Sequence, residues 1–203
     1  MMTKKRFQTR AVFVVLATAA ATASAGVPPE VRAKAAGIFA ALERIETDHA
    51  RLTPSRIGAA ALPAPGSRSL TFTEEELNAY AACRLEAEGG PYVKAAQLKL
   101  LAGDKIEGRI SIDLGKPQAS GIVPQKQDLL FAAHFETQDG KIRINMDSLF
   151  LGTQEISPAF IDIVIGVVSR LQGVEPTSLK DWYDLPAGVE RLETRAGQVV
   201  IIY

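Results

Sequence analysis

The chain has 203 residues, with 47% hydrophobic and 23% charged side chains, which is the composition of a globular protein rather than of a disordered or fibrous one. Lys plus Arg equals Asp plus Glu at 23 each, so the overall charge gives no reason to expect nucleic acid as a partner. The single cysteine excludes an internal disulfide and any cysteine-rich metal site.

Residues 1–25 have the order of features of a signal peptide. Four basic residues within the first ten precede an apolar run at 11–21, and Ala-Ser-Ala at 23–25 is a small-residue cleavage site. The alternative is a buried N-terminal helix. The run is too short to span a bilayer, and no later apolar run reaches the roughly 18 residues that a spanning helix needs. We therefore expect a periplasmic or secreted protein of the cell envelope, with no transmembrane span.

Residues 26–52 predict an amphipathic helix that begins near Pro29. Its apolar residues recur at three- and four-residue spacing: Val31, Ala35, Ile38, Phe39, Leu42 and Ile45. Residues 53–68 form a Pro-rich linker with few side chains that could pack. The main domain then covers residues 69–203.

That domain opens with a short strand and a second helix. Thr73 and Glu76 have the spacing of a capping box, and the helix should run to about residue 88, before Gly89-Gly90-Pro91. The buried stripe should hold Leu77, Tyr80, Ala81 and Leu85. Cys83 lies in the middle of this helix, where a lone cysteine is more often a small buried hydrophobe than a nucleophile.

Residues 92–151 predict a meander of four antiparallel strands with one apolar face. Apolar and polar residues alternate without a fault at 105–114, and Asp139-Gly140 is typical of a type I′ hairpin turn. Ile142, Ile144, Met146 and Phe150 should continue the apolar face on the return strand. Gly152 should end the sheet.

A third helix is predicted after Ser157, which would cap it, with Pro158 in the first turn. Between residues 160 and 171 only Asp162, Ser169 and Arg170 are polar, so this helix must be covered on most sides. Residues 189–203 predict a final hairpin.

The sequence contains no motif that indicates catalysis, a metal or a cofactor. His49 and His134 should be solvent-facing. Trp182-Tyr183 could be a ligand lip, although an aromatic anchor that ties a loop to the core is the commoner explanation. A hydrolase would need Cys83 or a serine beside a histidine, and we therefore expect no enzyme activity.

The apolar residues leave two outcomes open. If the sheet and helices close tightly, the core is filled; if the sheet curls with space left, an apolar groove forms that suits lipids or other long apolar ligands. A filled core would favour an envelope scaffold or protein-interaction module, with the N-terminal helix as the partner-binding element.

Three segments resemble bacterial relatives of the tubular lipid-binding (TULIP) superfamily. They are LTFTEEELNAYAA at 70–82, FLGTQEISPAFIDIV at 150–164, and VERLE with GQVVI in the last fifteen residues. The resemblance covers about residues 69–203. It implies a sheet that wraps a long helix around an apolar channel, and binding or carrying of a lipid in the cell envelope.

We therefore expect an α+β fold with a curved antiparallel sheet wrapped around a long apolar helix and with an N-terminal amphipathic helix. The expected function is non-enzymatic binding of an apolar small molecule or lipid. The expected ligand wall is apolar throughout: Ile110, Ile112, Phe131, Phe135, Ile144, Met146, Phe160, Val164, Val167 and Leu171.

Overall fold

The computed structural model describes residues 26–52, 68–88, 93–113, 126–157, 159, 162, 178 and 180–203. The fold is α+β with a strongly curled antiparallel sheet. The elements are α1 (Pro29–Leu52), β1 (Ser69–Thr73), α2 (Glu74–Glu88), β2 (Val93–Leu101), β3 (Lys105–Asp113), β4 (Lys126–Gln138), β5 (Lys141–Leu151), β6 (Gln154–Glu155), β7 (Tyr183–Asp184), β8 (Arg191–Arg195) and β9 (Gln198–Ile202).

The predicted meander is present. Strands β2, β3, β4 and β5 pair in that order, all antiparallel. The turn between β4 and β5 has positive φ at both central residues, 51° at Asp139 and 71° at Gly140, as a type I′ turn requires.

The prediction that Gly152 ends the sheet is wrong. Gly152 has a φ of 61° in a two-residue turn, and the chain then folds back as β6 against the end of β5. Strand β7 also pairs with β5, at its opposite end. A glycine in the left-handed region reverses the chain within pairing distance, so the sheet continues past it.

A second sheet, of three strands, has the order β1–β9–β8. The predicted final hairpin is its β8–β9 pair, and β1 joins β9 along its whole length, from Ser69 opposite Ile202 to Thr73 opposite Gln198. The first strand of the domain is therefore held by the last.

The main core joins α1 to both sheets. Its buried side chains are Ile38, Ala41, Ile45, Phe72, Leu100, Leu185, Val189, Val199 and Ile201. Gly188, with a φ of 90°, passes so close to α1 that a Cβ there would lie 2.9 Å from Ile45 Cγ2 and from His49 Cβ. Segment 26–52 is thus part of the same packed unit as the sheets.

Helix α2 begins with the predicted capping box. Glu76 accepts from the Thr73 amide at 2.7 Å, and the Glu76 amide donates to Thr73 Oγ1 at 3.2 Å. These bonds hold the pKa of the Glu76 carboxyl below its ordinary value, with the bond from the Thr73 backbone as the larger cause and the Thr73 hydroxyl as the smaller.

Helix α2 also covers the free edge of β2. Asn78 Nδ2 donates to the Leu98 carbonyl and Asn78 Oδ1 accepts from the Leu98 amide, each at 2.7 Å. Glu74 accepts from the Leu100 amide at 2.6 Å. The Asn78 amide therefore replaces a neighbouring strand at an edge that would otherwise present unpaired backbone groups.

The predicted apolar helix lies outside the described residues except for Ala159 and Asp162, which are both helical. The expected signal peptide and all of the linker but Arg68 are outside them too. Neither α1 nor α2 has the length and hydropathy needed to cross a bilayer, and the described residues hold no other candidate span.

Candidate functional site

The strand register brings six of the ten predicted wall residues to one face of the curled sheet. Directly opposed residues of antiparallel strands share a face. On β3 and β4, Gly108 lies opposite Phe131 and Ile110 opposite Leu129. On β4 and β5, Phe135 lies opposite Ile144. The shared apolar face therefore includes Ile110, Ile112, Phe131, Phe135, Ile144 and Met146.

A β-bulge interrupts the alternation of β5 just after Met146. Ala132 is opposite Ser148 but Ala133 is opposite Met146, so Asp147 is an extra residue in β5. In β5, even-numbered residues before the bulge, such as Ile144 and Met146, therefore point to the same side of the sheet as odd-numbered residues after it, such as Leu149.

The bulge overturns the prediction for Phe150. Phe150 lies opposite Leu130 on the other face of the sheet, and Leu149, which is 1% exposed, takes the position on the apolar face. An unbroken alternation through β5 cannot give this result, because the extra residue changes which side each later residue occupies.

The two ends of the apolar face differ in burial. At the end near the hairpin turns, Leu100 is 3% exposed and Ile106 and Ile142 pack against the closed core. At the other end Ile110 and Ile112 are only half-buried. Phe135 is buried, while Phe131, Ile144 and Met146 are also half-buried.

The Phe131 ring lies over Gly108. A Cβ at Gly108 would be 3.0 Å from Phe131 Cε2 and closer still to Cζ and Cε1. Because Gly108 has no side chain, the Phe131 ring can lie across β3 and cover the backbone that a side chain would otherwise cover.

The other four wall residues fall outside the described residues: Phe160, Val164, Val167 and Leu171. Their neighbour Asp162 accepts a hydrogen bond from Ser178 Oγ at 3.0 Å. This bond links the start of that segment to the residues before β7.

The opposite face of the sheet is polar, and its charges pair with one another. His134 lies opposite Asn145 on this face, its Nδ1 is 2.8 Å from Asp147 Oδ1, and its side chain is 41% exposed, so the prediction that it faces solvent is confirmed. Arg143 donates to Glu136 at 2.7 Å, and this bond is the main reason that the pKa of Glu136 lies below its ordinary value. Asn145 completes the network by donating to Glu136 at 2.8 Å.

The neighbouring aromatic residues Trp182 and Tyr183 differ in burial and in contacts. Tyr183 is 8% exposed and its hydroxyl donates to the Ser178 carbonyl at 2.6 Å, so it is the predicted anchor. Trp182 is 36% exposed and stacks against the Arg143 guanidinium, 4.8 Å from the ring centroid.

Two surface grooves lie elsewhere in the described structure. One of about 500 Å³ runs between α1 and α2, lined in part by Phe39 and Cys83. The other, of about 270 Å³, opens around Leu130 and Phe150, and Phe131 is the only predicted wall residue that borders it. The spacing of α1 places Phe39 in the predicted buried stripe, so the sequence gives no signal for the first groove, and that prediction is wrong because Phe39 is 39% exposed.

Comparison of the chain with protein-family models, with curated proteins and with solved structures gives no match. The resemblance to TULIP proteins therefore rests on the three sequence segments. Within the described ranges, no group of three His, Cys, Asp or Glu side chains is placed to hold a metal ion.

Proposed function

We propose that the protein binds the hydrocarbon chain of a lipid on the apolar face of its curled sheet, outside the cytoplasm. The observation that carries the proposal is the half-burial of Ile110, Ile112, Phe131, Ile144 and Met146 on one face. Three consecutive strands supply them, and the pairs formed by the described register bring no charged side chain among them.

The chemistry of this face favours a long alkyl chain. A surface without ionisable groups recognises a ligand by shape and by removal of apolar area from water. Each buried methylene contributes about 0.8 kcal/mol, whereas association costs at least about 4 kcal/mol in lost translation and rotation. Roughly five buried methylenes therefore balance the smallest cost and roughly nineteen balance a cost of about 15 kcal/mol, which favours long acyl chains over short apolar molecules.

The segment at 158–171 completes the proposed site. Its sequence is apolar nearly all round, so it needs a cover on most sides, and the apolar sheet face is a suitable partner. In this proposal Phe160, Val164, Val167 and Leu171 form the second wall. The resemblance to TULIP proteins implies the same arrangement of helix, sheet and ligand.

Lipid extraction and native mass spectrometry of the purified protein test the proposal. We expect co-purified lipid that organic solvent removes. In Ile110→Asn the amount should fall several-fold, because a polar amide then enters the apolar face. The matched control is Leu130→Asn, since Leu130 is also half-buried and on the neighbouring strand but points to the other face.

Two results would count against lipid binding on this face. Protein that carries no lipid after expression in a lipid-containing host supports a filled core and the scaffold alternative. Equal lipid loss in Ile110→Asn and Leu130→Asn would move the ligand to another surface.

The location outside the cytoplasm is proposed from residues 1–25 and has its own test. N-terminal sequencing of the protein recovered from the periplasm or the medium should start at Gly26. Retention in the cytoplasm with Met1 or Met2 at the N-terminus would contradict it.

A further inference from the structure

The groove between α1 and α2 carries a self-complementary pattern. Its α1 side contains Arg32, Ala36, Phe39, Ala40 and Glu43, which lie on one side of the helix, and its α2 side contains Cys83 and Glu86. Four of the five α1 residues form the symmetric set. Arg32 and Glu43 are symmetric about the midpoint of residues 37 and 38, and so are Ala36 and Phe39. Each symmetric pair joins opposites, a cation with an anion and a small residue with a large one.

We propose that this groove is the interface between two copies of the chain, with the two α1 helices antiparallel across a two-fold axis. A two-fold contact places each residue of a patch against its symmetry mate on the other copy. Arg32 then meets Glu43 of the second copy, and Phe39 enters the space over Ala36. Each contact forms twice.

These side chains are exposed, although Phe39 and Arg32 also make contacts within the chain. Phe39 is 39% exposed, and its ring packs at 4.8 Å on Tyr80. Arg32 Nη2 donates to both Glu86 carboxylate oxygens and Arg32 Nε donates to the Val27 carbonyl, each at 3.0 Å, so within the described residues Nη1 is the Arg32 nitrogen that makes no hydrogen bond. The Glu43 carboxylate has no ion-pair partner among those residues. Residues 32 and 43 are about 16 Å apart along the helix, since each residue rises about 1.5 Å.

The core of the fold does not compete for this surface. The side of α1 that carries Ala35, Ile38, Ala41 and Ile45 is already buried. Ala36, Phe39 and Glu43 are exposed on another side of the same helix. A second copy would cover the exposed side without unpacking the first, and the dimer is independent of ligand binding on the sheet.

A charge-swap experiment tests the interface. Sedimentation velocity over a concentration series should show a monomer–dimer equilibrium for protein expressed from the full sequence. In Glu43→Arg two Arg pairs oppose each other, and in Arg32→Glu two Glu pairs do, so each variant alone should raise the dissociation constant at least about tenfold. Mixed in equal amounts, they should form a heterodimer again, because both contacts are then of opposite charge.

The controls separate the interface from the fold. Arg44→Glu reverses an exposed charge one residue away but outside the symmetric set, and it should dimerise like the wild type. Loss of the exposed Arg32–Glu86 pair changes stability little. Ala36→Trp, at an exposed position, fills the hole for Phe39 and provides a second block that requires no change to an existing ion pair.

Alkylation of Cys83 gives a second measurement, because Cys83 lines the same groove. Its rate should fall as the wild-type concentration rises and stay constant in Glu43→Arg. Wild-type protein that remains monomeric, single variants that dimerise normally, or a mixture that fails to recover would each overturn the proposal. So would an alkylation rate that does not depend on protein concentration.

Discussion

Replacement of Gly108 by alanine should strain the apolar face of the sheet through Phe131. The new Cβ would lie 3.0 Å from Phe131 Cε2 and closer to Cζ and Cε1, so the ring must leave its place across β3. Overpacking of this kind costs about 1–3 kcal/mol. Removal of a glycine from a strand returns about 0.5–1 kcal/mol, so we expect a net loss of up to about 2.5 kcal/mol in the free energy of unfolding.

Phe131→Leu provides the background that separates these effects. Leucine lacks the three ring atoms that the new Cβ would meet, so Gly108→Ala should be neutral or stabilising by up to about 1 kcal/mol in that background. The coupling between the two positions should then be about 1–3 kcal/mol in a double-mutant cycle.

Urea unfolding followed by far-ultraviolet circular dichroism measures all four proteins. The slope of the free energy against urea should stay constant, so that the midpoints report stability alone. If Gly108→Ala has the same effect beside Phe131 and beside leucine, the ring does not lie over the glycine and the described geometry of this face is wrong.

Three further changes test the contacts that assemble the fold. Gly188→Ala should cost about 2–4 kcal/mol in thermal or urea unfolding, since it combines a φ of 90° with a clash against α1; a loss below 1 kcal/mol would show that α1 is not held against this loop. Asn78→Ala should cost about 1–3 kcal/mol, because the Leu98 amide and carbonyl lose their partner, and hydrogen exchange at Leu98 should quicken. The lowered pKa of Glu76 means that its bonds with Thr73 stabilise the fold above its ordinary pKa of 4.5 and are lost as the pH falls through the lowered value. Stability should therefore fall less steeply below pH 4.5 in Glu76→Gln than in the wild type, and identical pH profiles would contradict the capping bond.

The meander can be predicted from local patterns because residues that are close in sequence determine each of its strands and its tight turn. Strict alternation in β3 identifies the apolar face, and Asp139-Gly140 identifies the tight turn by its need for positive φ. The same alternation placed Ile110 and Phe131 on one face before any register was known. The apolar face of the sheet is therefore predictable from the sequence, although the register of the second half of β5 is not.

The features that sequence did not predict depend on packing between distant segments. The bulge at Asp147 moves Phe150 to the polar face, and the residue types around Asp147 do not predict a bulge. The pairing of β1 with β9 joins segments more than a hundred residues apart. The Asn78 contact with β2 likewise arises only when α2 is docked on that strand edge.

The groove beside Phe39 has the same origin. Its apolar floor exists because α1 and α2 pack side by side, and the helical pattern of α1 alone assigns Phe39 to the buried stripe. The structure instead leaves Phe39 39% exposed, with Ile38 and Ile45 in the core. The spacing of apolar residues predicts which side of a helix faces the core, but it does not predict how many residues beside that side are also buried.

Photo-crosslinking with a diazirine-labelled long-chain fatty acid tests the central claim most directly. After irradiation of the purified protein, peptide mass spectrometry locates the residues that carry the label. We predict labels on the peptides of β3 and β5 that hold Ile110, Ile112, Ile144 and Met146, and competition by unlabelled fatty acid. Labels confined to the α1–α2 groove, or no label that competes, would contradict lipid binding on the sheet.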